Sequence, residues 1–362
     1  MIHVTKTFLP DYGDFASRLQ TAWDTSVLTN NGPLVKQLTA ALAETLGITN
    51  IQLVANGTLA LQLAIKALGV RGEIITTPYS YVATTNAILW EGCTPVFVDV
   101  DSESFCLSPD LIEAAITEHT TAILATHVYG YPCDVQRIQQ IADRHGLKVI
   151  YDAAHAFGVR LNGQSLLNHG DCSTLSFHAT KLFHTAEGGA VVCKDEAVAK
   201  RGFLMSKFGH LGEDEYLDIG INAKMSELHA AMGLAMLPLV PEIIAARREC
   251  SAWYDEMLED LELQRPKTIA GLEYNYAYYP VVFATHEEMM QVRTALHAQD
   301  IFPRRYFYPS LNTLPFLPES QRRPCPVSES LAQRVLALPL YPTLARQDVE
   351  RIATCIRAAL LA

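Results

Sequence analysis

The sequence offers no metal-binding spacing. Its eight cysteines stand at positions 93, 106, 133, 172, 193, 250, 325 and 355, with no C-x-x-C pair and no Cys/His cluster, so no zinc or iron–sulfur centre is expected. Scattered in this way they read as mostly buried thiols of a reducing compartment. Positive charge is scarce as well. Lys and Arg number 28 against 39 Asp and Glu, a net charge of −11 with no Lys/Arg run, which excludes the basic face that a phosphate backbone requires. Nucleic acid is therefore not an expected partner. The opening "MIHVTKTFLPDYGDF" lacks the charged-then-apolar pattern of a secretory leader, and no uninterrupted apolar run is long enough to cross a bilayer. Both absences point to a cytoplasmic protein without a membrane partner. Internal repeats and low-complexity segments are missing too.

What the sequence does contain is alternation. Its 362 residues, 49% hydrophobic and 19% charged, suit a globular protein of about two domains. After an irregular start, "PLVKQLTAALAETLG" repeats apolar residues at helical spacing and stops at a glycine. "IQLVAN" then reads as a strand, "GTLALQLAIKALG" as a helix, "EIITTP" as a strand and "YVATTNAILWEG" as a helix. The series continues through "TPVFVDV", "SPDLIEAAI", "TTAILATHVYG", "DVQRIQQIADRHG" and "LKVIYDAA". Strands that are continuous apolar runs belong to a mainly parallel sheet covered on both faces, so the fold class is α/β. Beyond Cys172, "CSTLSFHAT" and "GGAVVCKD" read as two short strands around a tight apolar loop. "SELHAAMGLAMLPLV" reads as a helix closed by Pro238 and Pro241, and "EIIAARRECSAWYDEML" as a helical bridge to a smaller domain. The expected division is a large domain over residues 1–240 and a small α/β domain over 241–362. The latter holds the strand-like "FPRRYFYP" and a closing helix from "RQDVERIATCIRAALLA".

One lysine, Lys181, sits within the apolar and aromatic stretch "LSFHATKLFHTAEGGAVV". It either snorkels to water or has a task, because buried lysines are rare without a partner. In open α/β sheets ligands gather beyond the carboxyl ends of the strands, so the strand-to-helix junctions carry the other candidates. In "VANGTLAL", Gly57 and Thr58 open a helix whose free N–H groups can seat an anion, unless Asn56 is simply an N-cap. Tyr81 follows the next strand, either as a flat cover for a planar ligand or as a core aromatic. Asp152 ends a central strand ahead of two alanines and His155. An unpaired buried carboxylate is costly, so it has a partner or caps the turn. Ser176 and His178 alternate along a strand and are expected on one face, Ser176 as a phosphate ligand or a satisfied core hydroxyl and His178 as a structural residue. Asn222, just before a helix, caps it or meets an anion bound by a neighbouring subunit. In combination these residues ask for a phosphate, a flat ring, a basic ring nitrogen and a group that a lysine can capture. Pyridoxal 5'-phosphate meets all four requirements.

The motifs resemble those of the DegT/DnrJ/EryC1/StrS family of pyridoxal-phosphate-dependent sugar aminotransferases. The matching segments are "NGTLALQLAIKALG", "TTPYSYVATTNAI", "PVFVDVD", "THVYGYPCDV", "YDAAHAFG", "SFHATKLFHTAEGGAVV" and "GINAKMSELHAAMGLAML", with a weaker match at "LALPLYPTL". They span nearly the whole chain in the family's order. The resemblance implies the pyridoxal-phosphate-dependent transferase fold type I, that of aspartate aminotransferase. It also implies that Lys181 bonds the cofactor and Asp152 pairs with its pyridinium nitrogen, both as catalytic residues. Tyr81 would stack on the ring, Gly57 and Thr58 would give phosphate-binding amides, and Ser176 a phosphate hydroxyl. Asn222 would reach the phosphate from the partner subunit of a homodimer with shared active sites. His155 stands where many members have glutamine, near the ring oxygen or on the stacked face. Lys224 replaces an arginine common in the family, so a bidentate carboxylate clamp is not expected there.

The resemblance further implies an enzyme that moves an amino group from L-glutamate to a nucleotide-linked keto-sugar. "FHATKLFHTAEGGA" and "GINAKMSELHAAMGLA" are most similar to the branch that turns dTDP-4-keto-6-deoxy-D-glucose into dTDP-4-amino-4,6-dideoxy-D-glucose for surface polysaccharides such as O-antigen. A 3-keto dTDP-sugar and a UDP-linked 4-keto-sugar are the competing substrates. "RRYFYP" offers arginines for a diphosphate and aromatics for a base, or is a solvent-edged strand. A related sugar dehydratase replaces the lysine with histidine, which Lys181 speaks against. A non-enzymatic regulator would need a DNA-binding module that the sequence lacks.

Overall fold

The computed structural model describes residues 1–361. A seven-stranded sheet runs through the larger part of the molecule, in the spatial order Ile51–Val54, Gly189–Cys193, Cys172–Ser176, Lys148–Asp152, Thr120–Thr126, Glu73–Thr76 and Thr94–Phe97. Neighbouring strands are parallel except where Gly189–Cys193 runs against both its neighbours. Continuous apolar runs give strands buried on both faces, and every residue of Gly189–Cys193 is buried. Side chains alternate between two layers, as the period of two requires. Ile74, Leu124 and Ile150 pack beneath the helix Gly57–Ala67, while Ile75, Ile123 and Val149 join a larger core with the helices Pro33–Leu46 and Val135–His145. The parallel strands therefore deliver their carboxyl ends to one edge of the sheet.

A second, smaller core forms where Tyr279–Val282 pairs antiparallel with Val335–Leu338, covered by the helices His286–His297 and Arg346–Leu360. Ile2–His3 pairs with Ile301–Phe302, so the first residues of the chain pack with this core rather than with the large one. The helix Val240–Leu258 touches both. Val240 and Ile243 lie in the large core, and Cys250, Tyr254 and Leu258 in the small one.

Several local expectations are corrected. The start is not irregular, since a helix spans Tyr12–Thr25 with the Asp11 carboxylate accepting from Asp14 N–H. Phe15, Leu19 and Ala22 fall at helical spacing on its inner face, though only Ala22 is fully buried. Pro238 and Pro241 do not close a helix. They occupy first-turn positions of a 3-10 turn, Leu237–Leu239, and of the helix Val240–Leu258, where a missing N–H costs nothing. The joined stretch Glu227–Leu258 is thereby 32 residues long, with a mean hydropathy of 1.6 in its most apolar window, enough by length and composition to cross a bilayer. That corrects the expectation of no such run. Here its Ala230, Ala231, Leu234 and Met236 pack against Leu34, Leu38 and Leu42 of the large core. "SPDLIEAAI" forms two 3-10 turns, Pro109–Leu111 and Glu113–Ala115, in place of a helix. In "FPRRYFYP", Phe302 ends the strand Ile301–Phe302 and Arg304 makes one isolated bridge to Ala337; the rest is irregular.

Candidate active site

Five parallel strands end around one cavity of about 240 Å³. Gly57, Thr58, Tyr81, Asp152, His155, Ser176 and Lys181 all line it. The strand Cys172–Ser176 stops at Ser176, so His178 lies past its end and the two do not share a strand face as expected. His178 instead begins a tight turn that presents Lys181. Its carbonyl accepts Lys181 N–H at 2.8 Å and its Nδ1 accepts Thr180 N–H at 3.2 Å. Burial pulls the Lys181 amine below the usual lysine range, against the opposing influence of the Tyr306 hydroxyl and the Asp152 carboxylate. An amine so placed is a better nucleophile at neutral pH than a solvated one.

Asp152 closes a central strand and is buried. Its Oδ2 accepts from Thr84 Oγ1 at 2.7 Å and its Oδ1 from Ala154 N–H at 3.1 Å. No cation lies within ion-pair distance of it among the described residues. Desolvation pushes its pKa up, while the Thr84 hydroxyl, the Ala154 amide and the Lys181 charge hold it down. A carboxylate in this state is satisfied by a cationic N–H donor. Three residues on, His155 has its Nδ1 taken by Tyr129 N–H at 3.2 Å, which puts the proton of the neutral ring on Nε2. Burial, followed by the nearby Lys181 charge, holds its pKa well below the usual range.

On the opposite wall the helix Gly57–Ala67 begins. Asn56 caps it, Oδ1 accepting from Leu59 N–H at 2.9 Å and the backbone oxygen from Ala60 N–H at 3.1 Å. Among the described residues the Gly57 and Thr58 amides are left without a partner. So is Ser176 Oγ, and a Cβ on Gly57 would come within 2.8 Å of the Ser176 Cβ. Gly189 is constrained in the same way, since a Cβ there would meet Asn56 C at 2.6 Å and Gly57 N at 2.8 Å. Both glycines let the helix terminus close directly onto the sheet. Tyr81 is the N-cap of Val82–Trp90 and 57% exposed, so it is a ring at the cavity mouth and not a core aromatic.

Asn222 does not line this cavity. It is exposed, on the segment after the helix Glu196–Met205, where Lys224 Nζ donates to its Oδ1 at 2.6 Å. Sequence reasoning assigned no role to Thr84 or Tyr278, both at the site. Thr84 had a signal, standing three residues after Tyr81 and so on one helix face with it. Tyr278 had none, because it reaches Lys181 across 97 positions.

The DegT/DnrJ/EryC1/StrS aminotransferase family matches residues 12–357. This chain belongs to that family. It is 40% identical, over 98% of its length and 98% of the relative's, to a dTDP-4-amino-4,6-dideoxy-D-glucose transaminase of Shigella dysenteriae. It is 36% identical, over 92% of its length and 90% of the relative's, to a UDP-N-acetyl-3-dehydro-alpha-D-glucosamine 3-aminotransferase of Acidithiobacillus ferrooxidans. Among solved structures, DesI in the presence of its TDP-sugar product superposes with a TM-score of 0.91 at 36% identity, covering 99% of this chain and 92% of that one. The fold is the pyridoxal-phosphate-dependent transferase type I, and the protein is an enzyme of the sugar aminotransferase class. As a DegT/DnrJ/EryC1/StrS aminotransferase it uses pyridoxal 5'-phosphate. The cavity suits that group. Unpartnered amides and a hydroxyl at a helix N-terminus match a phosphate, the buried carboxylate matches a protonated ring nitrogen, and the His155 Nε2–H matches a ring oxygen.

Proposed function

We propose that this aminotransferase moves an amino group from L-glutamate to dTDP-4-keto-6-deoxy-D-glucose, forming dTDP-4-amino-4,6-dideoxy-D-glucose for a surface polysaccharide such as O-antigen. One observation carries the reading: the Lys181 amine and the buried Asp152 carboxylate line a single cavity. The substrate assignment draws on the 40% identity to the Shigella dysenteriae transaminase.

Pyridoxal phosphate supplies, when bound, a carbonyl with which amines condense and a ring that draws electrons from the amino-bearing carbon. The Gly57 and Thr58 amides and Ser176 Oγ bind its phosphate where the helix dipole favours an anion. Asp152 keeps a proton on the ring nitrogen, its oxygens oriented by Thr84 and Ala154. With the cofactor bound, His155 would offer its Nε2–H to the ring oxygen and Tyr81 would cover a ring face. Lys181 Nζ takes up and returns the proton of the amino-bearing carbon, which its lowered basicity allows near neutral pH. Arg304, exposed at the cavity wall, meets the diphosphate of the sugar nucleotide.

The same reading includes a homodimer with shared sites, in which Asn222 of each subunit reaches the other's phosphate. Supporting it, Phe208, Leu211, Tyr216, Leu217 and Ile219 are exposed on the segment that carries Asn222, beside a cleft of about 1100 Å³ bordered by Phe208 and Lys224. The second core, built almost wholly from residues beyond 240, supports a small unit within 241–362, although Ile2 joins it and Ile243, Tyr278 and Phe307 join the large core; the eight free, buried thiols support a cytoplasmic setting.

The test is the purified enzyme with glutamate and a panel of dTDP- and UDP-linked 3-keto and 4-keto sugars, the amino-sugar followed by mass spectrometry and the aminated carbon located by NMR. Amination at C4 of dTDP-4-keto-6-deoxy-D-glucose is expected, and a strong preference for any other member of the panel overturns the substrate. A 3-keto or UDP-linked sugar is the second reading, favoured by the Acidithiobacillus relative.

A further inference from the structure

Lys181 Nζ donates a hydrogen bond to the Tyr278 hydroxyl at 3.2 Å. The backbone that carries Tyr278 is fastened on both sides. The Asn275 amide donates to the His155 and Phe157 carbonyls at 2.9 Å each, and its Oδ1 accepts Ala277 N–H at 3.1 Å. The buried Arg247 donates through Nη1 to the Ala277 carbonyl at 2.8 Å and the Tyr276 carbonyl at 3.3 Å. The ring itself is enclosed, with His155 at 4.6 Å and Tyr306 at 4.8 Å between centroids, both edge-on. Backbone and ring are thus anchored to the loop that bears His155 and to the helix Val240–Leu258. The backbone anchors do not use the hydroxyl, whose polar neighbours are the Lys181 amine and the Tyr306 phenol.

We propose that Tyr278 is a positioning residue for Lys181, its hydroxyl holding Nζ at one place in both the ammonium and the neutral amine form. A hydroxyl both accepts and donates, whereas a carboxylate only accepts and a guanidinium only donates. It therefore accepts from the ammonium and, with the O–H turned, donates to the lone pair of the free amine. A group that takes and returns a proton passes through both forms, and a fixed nitrogen keeps it in reach of the carbon throughout. Burial pushes the Tyr278 phenol up to about 12, so it keeps its proton across the working range. The inference rests on the reading of Lys181 as the reacting amine.

Tyr278→Phe removes one oxygen and keeps the ring. Three measurements on the full chain test it. Borohydride reduction of the wild-type and Tyr278→Phe holoenzymes locates the bonded lysine by peptide mass spectrometry. A tag on a lysine other than Lys181 overturns the reading of Lys181, and this inference with it. In the apoenzyme, acylation of Lys181 across a pH series gives its titration midpoint. The midpoint is expected to fall by about half a pH unit or more in Tyr278→Phe, because a charge-assisted bond to the ammonium is lost. In Tyr129→Phe, which borders the same ring without reaching Lys181, it stays within about 0.2 unit. The kcat of Tyr278→Phe is expected to fall roughly 10- to 100-fold with the glutamate KM within about threefold. A tag on Lys181 together with an unchanged midpoint and near wild-type kcat overturns the role of Tyr278 alone. Loss of the fold in Tyr278→Phe also overturns it, since the hydroxyl would then be a packing element.

Discussion

Thr84 Oγ1 donates to Asp152 Oδ2 at 2.7 Å, joining the first turn of one helix to the end of a strand 68 positions away. Behind it Ser80 Oγ lies 2.7 Å from Thr84 Oγ1 and accepts from Thr126 Oγ1 at 3.0 Å. The buried carboxylate thus ends a chain of hydroxyls. Thr84→Val keeps the shape and removes the donor, so the Asp152 pKa rises further above its usual range. The acid limb of the kcat profile is expected to move up by about one pH unit, with kcat down roughly tenfold, because a bond to a charged group is lost. A steady-state pH profile checks this.

Asp152→Asn separates stability from function. In the apoprotein the folded-state pKa of Asp152 is raised by burial, so its ionisation opposes folding. This cost is absent at pH below the unfolded value, grows as pH rises between the unfolded and the folded value, and is constant above. Apo Asp152→Asn should therefore be at least as stable as wild type at neutral pH, while turnover drops by about 100-fold or more as the ring nitrogen loses its counterion. Thermal melts across pH and a turnover assay report the two effects.

Gly189→Ala tests the phosphate cradle without removing a polar side chain. Its Cβ would sit 2.8 Å from the Gly57 amide nitrogen, and the obstacle is backbone, so the helix terminus must shift. Affinity for pyridoxal phosphate should weaken roughly tenfold or more, about 1.4 kcal/mol, as measured by equilibrium dialysis.

Glu227 is fully buried, and its carboxylate accepts from Leu34 N–H at 2.7 Å and Val35 N–H at 3.2 Å, capping Pro33–Leu46 from a distant helix. Glycine at 32 supplies no side-chain cap of its own. Glu227→Ala should cost about 2 kcal/mol in denaturant unfolding, and Glu227→Gln less, since the amide oxygen still accepts.

Shared sites are tested by mixing inactive chains. If sites are shared, Lys181→Ala and Asn222→Ala place both defects in the same active site of a mixed dimer, leaving the other site intact. Activity should reappear on mixing, up to about half the wild-type value in each mixed dimer. No recovery after verified subunit exchange would count against sharing.

The mainly parallel sheet and the positions of Gly57, Tyr81, Asp152, Ser176 and Lys181 beyond the ends of its strands were legible in the sequence, because these depend on local apolar runs and on where they stop; that all seven strands join in one sheet, with Gly189–Cys193 reversed, was not. The helix Tyr12–Thr25 was not legible. Its inner face is only Phe15, Leu19 and Ala22, and the exposed Tyr12 and Trp23 place large apolar residues on the solvent side, which blurs the pattern. Pro238 and Pro241 misled for a related reason: proline forbids a helix interior but favours a first turn, and only the chain's path tells the two apart.

Local order along the chain determined which residues reach the edge of the sheet, since strand and helix propensities act over a few neighbours. The tertiary structure decided what each of them meets there. Thr84 beneath Asp152, Tyr278 beside Lys181 and Glu227 on Leu34 are contacts across 68, 97 and 193 positions. No local pattern encodes such contacts, because they exist only when cooperative burial of the cores brings the distant elements together.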